Sequence, residues 1–152
     1  MFKKISLIFV LLFLINCGFA PIHNIQNRND ISIKNLVFNG GDRNLNIFLK
    51  RNLDRYQNTN SSNAFIINSN IKYEKNIISK NAKGIATKYE LKAVANFKIE
   101  YENNITNTSY KEIFTMDHID DDFENKKYEK SIKENFANSI AKKLILKLSQ
   151  IK

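Results

Sequence analysis

The sequence contains little cysteine, proline, glycine or histidine. Its 152 residues include one cysteine, one proline, four glycines, two histidines and no tryptophan. A lone cysteine excludes an internal disulfide. With 43% apolar and 26% charged residues, the composition excludes a collagen-like or wholly disordered chain and predicts one globular domain.

Sequence motifs of catalysis are also missing. No nucleophile elbow, phosphate-binding loop or HExxH pattern occurs around His23 or His118. His118 is close to four aspartates between positions 117 and 122, but this cluster lacks the glycine and closing glutamate of an EF-hand loop. Acidic residues there suit the start of a helix, where they cap its first backbone nitrogens and interact favourably with the positive end of its dipole. We therefore expect a protein that is not an enzyme and has no catalytic residue, metal site or cofactor.

The N-terminus has the pattern of a secretory signal. Lys3 and Lys4 precede an apolar stretch, residues 5–15, in which only Ser6 is polar. As a helix this stretch would be about 16 Å long, roughly half the hydrocarbon thickness of a bilayer, and is too short to span it comfortably. We predict a signal peptide over residues 1–16.

The cysteine directly follows this stretch. Leu14-Ile15-Asn16-Cys17 resembles a bacterial lipobox, in which the cysteine receives a diacylglycerol and becomes the mature N-terminus, although Asn16 replaces the usual small residue. Residues 17–30 would then be a lipidated tether. Several acyl chains, at about 0.8 kcal/mol per buried methylene, make such anchoring effectively permanent. The alternative is an ordinary signal peptide, or an uncleaved one, with an inert cysteine.

The charge balance is basic, with a formal net charge of +9. A basic surface suits anionic lipid or acidic glycolipid. Nucleic acid is not an expected partner, because a secreted chain meets none in the cell, arginine is scarce and no binding module is recognisable. Asparagine, isoleucine and lysine are all abundant, as in proteins of AT-rich genomes, so part of the lysine excess carries no information about partners.

Residues 31–152 are predicted to form one domain that begins with a strand, a helix and a second strand. The first strand ends at Gly40-Gly41, Asp42 caps the helix, and a polar loop at 58–63 follows. The apolar residues of the first strand are Ile31, Ile33, Leu36, Val37 and Phe38. Those of the helix recur at spacings of three and four: Leu45, Phe48, Leu49, Leu53 and Tyr56. Those of the second strand are Phe65, Ile67, Ile71 and Tyr73, with Ser69 interrupting the alternation.

The third strand has the clearest pattern, because every second residue from Tyr89 to Tyr101 is apolar. Such alternation indicates one buried face and one wet face. The wet face carries Lys88, Glu90, Lys92, Lys98 and Glu100. A returning strand with Tyr110, Phe114 and Met116 and a long helix from about Asp122 complete the chain. The stripe of that helix is Tyr128, Ile132, Phe136, Ile140, Leu144, Ile145, Leu148 and Ile151.

The lengths and faces of these elements predict the fold class. The long strand and the last helix would each extend about 43 Å, so the helix can lie along the sheet. Because the outer sheet face is polar, both helices must pack on the other face. We therefore predict an elongated α+β two-layer sandwich in the order β-α-β-β-β-α, with two helices on one face of a four-stranded sheet.

Three segments resemble one protein family. Cys17-Gly18-Phe19-Ala20-Pro21 resembles the mature start of LptE-type lipopolysaccharide-assembly lipoproteins, especially the alphaproteobacterial branch. Thr87-Lys88-Tyr89-Glu90-Leu91 and the last helix, with Ala137, Ile140, Ala141 and Leu144, are also similar to that family. His23-Asn24 departs from it, since tyrosine and glycine are common there. In such lipoproteins Gly18, rather than an aspartate, after the cysteine implies sorting to the outer membrane.

The resemblance implies a function and partners. Such a protein occupies the lumen of the LptD-like outer-membrane β-barrel of the lipopolysaccharide translocon, helps that barrel to assemble, and contacts lipopolysaccharide. It would be lipid-anchored and face the periplasm and the barrel lumen. The candidate glycolipid-contacting residues are lysines around the loop joining the second and third strands, namely Lys72, Lys75, Lys80 and Lys83. The alternative is a periplasm-facing lipoprotein accessory to an ABC-type transporter or another envelope complex.

Overall fold

Four strands and two helices follow one another in the predicted order β-α-β-β-β-α. The computed structural model describes residues 31–61 and 63–152. The strands are β1 (Ile33–Gly41), β2 (Phe65–Lys80), β3 (Ala86–Tyr101) and β4 (Asn104–Asp117), and the helices are α1 (Arg43–Leu53) and α2 (Asp122–Ile151). A short 3₁₀ turn, Asp54–Tyr56, follows α1. The predicted signal peptide, Cys17 and the tether lie outside the described residues.

The strands form one mixed sheet in the order β1-β2-β3-β4. β1 is parallel to β2, whereas β2, β3 and β4 are antiparallel neighbours. A helix therefore connects the one parallel pair and short turns connect the others, as strand geometry requires. β2 and β3 each have 16 residues and form a long hairpin. The apolar alternation of β2 ends at Tyr73, but the strand continues to Lys80.

Both helices pack on one face of the sheet, which confirms the predicted two-layer sandwich. The helices contribute Leu45, Phe48, Leu49, Leu53, Ile132, Phe136, Ile140, Leu144 and Leu148 to the core. The sheet contributes Ile33, Phe65, Ile67, Ile71, Leu91, Ala93, Ala95, Phe97, Ile99 and Met116. Asp42 caps α1 as predicted, because its Oδ1 accepts a hydrogen bond from the Leu45 backbone nitrogen at 2.9 Å.

Some apolar residues of the predicted elements are exposed. Val37 is exposed, because a register irregularity between Ile33 and Asn35 turns Leu36 and Phe38 toward the core instead. Tyr128 is also exposed, at the start of the helix stripe, where its ring meets that of Phe114 edge to face.

The predicted loop between the second and third strands is shorter than expected, because β2 continues to Lys80. Lys72, Lys75 and Lys80 all lie within β2, and only Lys83 lies in the short turn at 81–85. Cross-strand pairing with β3 continues from Ile71 to Lys80 although both faces of this part of β2 are largely exposed. The backbone ladder, rather than burial, therefore extends the strand.

Candidate functional site

The far end of the β2–β3 hairpin combines exposed aliphatic and cationic side chains. We call residues 77–85 the hairpin end. Ile77, Ile78 and Ile85 are exposed to 52%, 51% and 53%. Among the described residues, neither Lys80 nor Lys83 takes part in an ion pair. Exposed apolar groups next to free cations can contact an amphiphile that carries both acyl chains and anionic groups.

Asn81 fixes the conformation of the turn at the hairpin end. Its Oδ1 accepts hydrogen bonds from the backbone nitrogens of Lys83 and Ile85, each at 3.0 Å. Its own backbone nitrogen donates to the Ile85 carbonyl, and the Gly84 nitrogen donates back to the Asn81 carbonyl. Gly84 has a φ of +78°, which glycine adopts without strain. The turn therefore presents Lys83 and Ile85 in one defined arrangement.

The structure does not bring the four predicted lysines together. Lys80 and Lys83 lie at the hairpin end, but Lys72 lies farther along β2 on the outer sheet face, opposite Val94 of β3. Lys75 faces the helices, where its Nζ lies 2.8 Å from a carboxylate oxygen of Glu129. Lys75 is therefore engaged within the fold, and only Lys80 and Lys83 share a surface with the exposed isoleucines.

The ion pair of Lys75 belongs to a larger group of residues that joins β2, α1 and α2. We call this group, formed by Asp42, Tyr73, Lys75, Glu129 and Lys133, the ionic cluster. The Tyr73 hydroxyl donates to Glu129 at 2.8 Å, and the Lys133 ammonium lies 3.8 Å from the centre of the Tyr73 ring. Burial and the hydrogen bond to Glu129 raise the pKa of Tyr73 well above its ordinary value. Because these contacts join Tyr73 and Lys75 of β2 to Glu129 and Lys133 of α2, the ionic cluster is a structural link between the hairpin and the helices.

Sequence reasoning missed the ionic cluster because its members are far apart in the chain. The carboxylate and ammonium groups that meet are separated by 54 positions in the pair of Lys75 and Glu129, and by 91 in the pair of Asp42 and Lys133. It also missed the hairpin isoleucines, although the adjacent pair Ile77-Ile78 does break the alternation of a half-buried strand. That break is the one sequence signal that could have identified an exposed apolar end.

The outer sheet face carries charged side chains, some of which form ion pairs between neighbouring strands. Lys92 of β3 lies 2.9 Å from Glu74 of β2, and Lys88 lies 3.5 Å from Asp117 of β4. The hydrogen bond from Lys92, followed by its charge, lowers the pKa of Glu74 below its ordinary value. The predicted wet face of β3 is confirmed, and these pairs reduce its net positive charge.

A shallow depression on the same face is lined mainly by neutral amides. It measures about 740 Å³, and we call it the asparagine trough. Its lining includes Asn39, Asn68, Asn70, Asn96, Asn107, Ser109 and Lys98. The Asn70 amide donates to the Asn39 carbonyl at 3.0 Å, which links β2 to β1. Amides offer both donors and acceptors, so this surface suits a polar partner surface better than an apolar one.

The aspartates before α2 serve the helix. Asp121 is its N-cap, and Oδ1 accepts hydrogen bonds from the backbone nitrogens of Phe123 and Glu124 at 2.8 and 3.0 Å. This agrees with the predicted capping role. Within residues 31–61 and 63–152, no group of three or more histidine, cysteine, aspartate or glutamate side chains is placed to hold a metal ion.

The described part of the chain contains no helix that is both long enough and apolar enough to cross a bilayer. The 30 residues of α2 are long enough, but the helix carries lysine and glutamate along its length.

Comparison with solved structures identifies the fold. No protein-family model and no curated protein matches the sequence. Rare lipoprotein B from Shewanella oneidensis is 12% identical, with a TM-score of 0.54, over 77% of this chain and 95% of that one. A minor lipoprotein from Acinetobacter baumannii is 14% identical, with a TM-score of 0.52, over 75% and 94%. An uncharacterized lipoprotein B from Nitrosomonas europaea is 12% identical, with a TM-score of 0.52, over 76% and 81%.

These likenesses define the class of fold to which the chain belongs. It is the two-layer α+β fold of rare lipoprotein B and the minor lipoproteins, an LptE-like fold. The predicted resemblance to LptE-type proteins therefore agrees with the structure at the level of the fold. The alphaproteobacterial subtype stays a prediction.

Proposed function

We propose that this chain is an outer-membrane lipoprotein, anchored through Cys17, that acts as plug and assembly partner of the lipopolysaccharide-translocating β-barrel and contacts lipopolysaccharide. Its role would be structural rather than catalytic. The fold supports the proposal, because the solved structures that share it are lipoproteins and match three quarters of the chain. The signal peptide and lipobox pattern of residues 1–17 supply the anchor.

The outer sheet face has the surface that a plug requires. The interior of a wide membrane barrel is polar and water-filled, so a protein inside it must present hydrogen-bonding groups. The asparagine trough and the pair of Lys92 and Glu74 supply such groups along the sheet. An apolar face would gain nothing from a polar barrel wall.

The observation that carries the proposed glycolipid contact is the composition of the hairpin end. Lipopolysaccharide presents phosphate groups next to acyl chains. Lys80 and Lys83 can bind phosphate as point charges, and Ile77, Ile78 and Ile85 can cover apolar chain. The proposed contact residues are therefore Lys80 and Lys83, two of the four predicted lysines, together with the three isoleucines.

The start of the folded domain and the hairpin end lie at opposite ends of β2. Ile33, which follows the predicted tether, pairs with Phe65 at the start of β2. Lys80 lies at the other end of that strand, so the two ends are about 50 Å apart at 3.3 Å per residue. A predicted tether that joins the domain at one end of β2, and a ligand-contacting group at the other end, suit a protein that reaches away from the membrane leaflet holding it.

Co-purification tests the proposed function. The full-length protein, extracted from outer membrane in detergent, should bring down a β-barrel protein in stoichiometric amount. Recovery instead with an inner-membrane ATPase complex would overturn the proposal and favour the alternative of a transporter accessory.

The anchor is tested separately. A Cys17→Ala chain should lose membrane retention, and mass spectrometry of the unsubstituted mature chain should show a lipid-modified N-terminal cysteine. An unmodified Cys17 thiol in the mature chain would contradict the anchored localisation, whatever partner is found.

A further inference from the structure

β4 forms an open edge of the sheet. All of its residues from Asn104 to Asp117 pair with β3 in one continuous antiparallel register, without a bulge. Its other side faces no strand among the described residues. The opposite edge differs, because β1 has 9 residues against 14 and contains two register irregularities. β4 is therefore the edge with the longest regular row of unpaired backbone groups.

This edge carries few of the features that normally block strand pairing. Proteins protect open edges with proline, bulges or charged side chains. β4 contains no proline, and of its three charged residues only Lys111 forms no ion pair with another described residue. Asp117 pairs with Lys88, and the Glu112 carboxylate accepts hydrogen bonds from Ser139 and Lys143 of α2. On the outer face, Ile105 and Ile113 are exposed to 59% and 50%. Such an edge is suited to pairing with another strand.

We propose that β4 pairs with β4 of a second copy of this chain, antiparallel, across a twofold axis at Ser109. In this register each residue lies opposite the residue equally far from Ser109 in the second copy. Ile105 then faces Ile113 of the second copy, which gives two equivalent apolar pairs on the outer face. This inference goes beyond the proposed function and describes the chain outside the barrel, because a plug in the lumen has the barrel wall, and not a second copy, beside its sheet.

Charge and polarity also agree in this register. Asn107 lies opposite Lys111 of the second copy, so the ammonium groups of the two copies do not face each other. On the helix-bearing side, Thr106 lies opposite Glu112 and Thr108 opposite Tyr110 of the second copy. The Thr106 hydroxyl can donate to the Glu112 carboxylate, whereas Thr108 can pack on the ring of Tyr110, whose hydroxyl donates to the Lys143 carbonyl of its own chain.

Neighbouring registers are worse. An axis at Lys111 places two ammonium groups opposite each other, and an axis at Glu112 places two carboxylates opposite each other. An axis at Tyr110 places Ile113 opposite Asn107, so the isoleucines lose their apolar partners. An axis at Thr108 places Ile105 opposite Lys111, which also removes the apolar pairs. Of the axes from Thr108 to Glu112, only the one at Ser109 places the two isoleucines opposite each other.

Disulfide formation tests both the pairing and its register. Directly opposite residues of antiparallel strands have Cα atoms about 4.5 to 5.5 Å apart, which a disulfide can bridge. In membranes containing the full-length chain, Ser109→Cys should therefore form an intermolecular disulfide under mild oxidation. Asn107→Cys is the matched control, because its two copies would be about 13 Å apart. The unsubstituted chain is a second control, because any disulfide that it forms must involve Cys17.

The register predicts a mixed product as well. Chains with Asn107→Cys should cross-link to co-expressed chains with Lys111→Cys, although neither cross-links to itself. The proposal would be overturned if neither the Ser109→Cys disulfide nor the mixed disulfide formed. It would also be overturned if Asn107→Cys cross-linked to itself as efficiently as Ser109→Cys.

A substitution in the apolar pair gives an independent measurement. Ile113→Glu should be tolerated by the single chain, because Ile113 pairs with Lys92 of β3, but it removes both apolar pairs of the dimer. We expect the dissociation constant of the full-length chain in detergent, measured by light scattering, to rise about tenfold. Ile47→Glu is the control, since Ile47 is 49% exposed on α1, which contacts β1 at the opposite edge of the sheet. A monomeric unsubstituted chain, or equal effects of both variants, would overturn the proposal.

Discussion

Lys133 and Asp42 form an ion pair between α2 and the start of α1, with Nζ 2.9 Å from Oδ2. The other carboxylate oxygen of Asp42 accepts the capping hydrogen bond from Leu45. One side chain therefore both begins the first helix and attaches it to the second. Since the Lys133 side chain is 11% exposed, water screens this pair less than the surface pairs of the protein.

Substitutions at Asp42 should separate these two roles. Asp42→Ala removes both the cap and the ion pair, and we expect it to lower the free energy of unfolding by about 2–4 kcal/mol. Asp42→Asn keeps a capping oxygen and should cost about 1 kcal/mol less than alanine. Urea unfolding measures the free energy of unfolding of both variants, provided that their m-values equal that of the original protein. Glu134→Ala, which breaks an exposed pair with Arg51, is the control and should cost less than about 1 kcal/mol. An Asp42→Asn protein as stable as the original would contradict a stabilising ion pair.

The stability of the protein should fall in acid partly through Glu129. Burial alone would raise the pKa of its carboxyl, but hydrogen bonds from Lys75 and Tyr73 outweigh burial and lower it below the ordinary value. A lowered folded-state pKa stabilises the fold above the unfolded-state pKa, and this contribution disappears as the pH falls through the folded-state value.

The measurement compares Glu129→Gln with the original chain by urea unfolding between pH 7 and pH 3. The original should be more stable at neutral pH, and the difference should close below about pH 4, because the protonated carboxyl then resembles the amide. Glu134→Gln provides an exposed control. A difference that is the same at every pH would show that the carboxylate charge of Glu129 does not stabilise the fold.

The two adjacent glycines that end β1 should differ in their tolerance of a side chain. Both have positive φ, +88° at Gly40 and +93° at Gly41. A Cβ at Gly41 would lie only 2.0 Å from the Ile71 carbonyl oxygen, whereas one at Gly40 would meet no atom within 4 Å. Gly40→Ala should cost about 1–2 kcal/mol from backbone strain alone. Gly41→Ala must in addition displace β2 and should cost roughly 3 kcal/mol or more, measured by thermal or urea unfolding. Equal costs would contradict this close approach.

The sequence predicted those parts of the fold in which the apolar pattern of a single helix or strand shows which of its faces is buried. The alternation from Tyr89 to Tyr101 and the four-residue steps of α2 both reflect one buried face, so the order of elements and the two layers followed from them. The exposed position of Val37 did not, because it depends on how β1 meets β2. The extent of β2 past Tyr73 depends in the same way on its ladder with β3.

The candidate site divides in the same manner. Of the four predicted lysines, Lys80 and Lys83 lie at the β2–β3 connection. The sequence could not indicate that Lys75 would be engaged by Glu129 on a helix 54 positions away. Nor could it indicate that the exposed Ile77, Ile78 and Ile85 would lie beside Lys80 and Lys83. Both facts depend on three-dimensional neighbours.

The proposed glycolipid contact at the hairpin end predicts that charge and apolar area contribute separately. Removing Lys80 and Lys83 together, as a double substitution to serine, should weaken binding of the full-length protein to lipopolysaccharide about thirtyfold at low salt, since each cation near an anionic surface contributes about 1 kcal/mol. The loss should shrink at high salt, because salt screens the charges. Because both lysines are exposed, we expect the double substitution to leave the fold unchanged.

Replacing Ile77 and Ile78 together by serine should weaken binding at both salt concentrations, because apolar contact is not screened. The control for the lysines is a double substitution of Lys50 and Lys126, two exposed lysines on α1 and α2, which makes the same change in net charge. Equilibrium binding to lipopolysaccharide, with the folded state checked by circular dichroism, distinguishes the outcomes. If the control weakened binding as much as the hairpin lysines, the interaction would follow from the net charge of the chain, and the hairpin end would have no specific role.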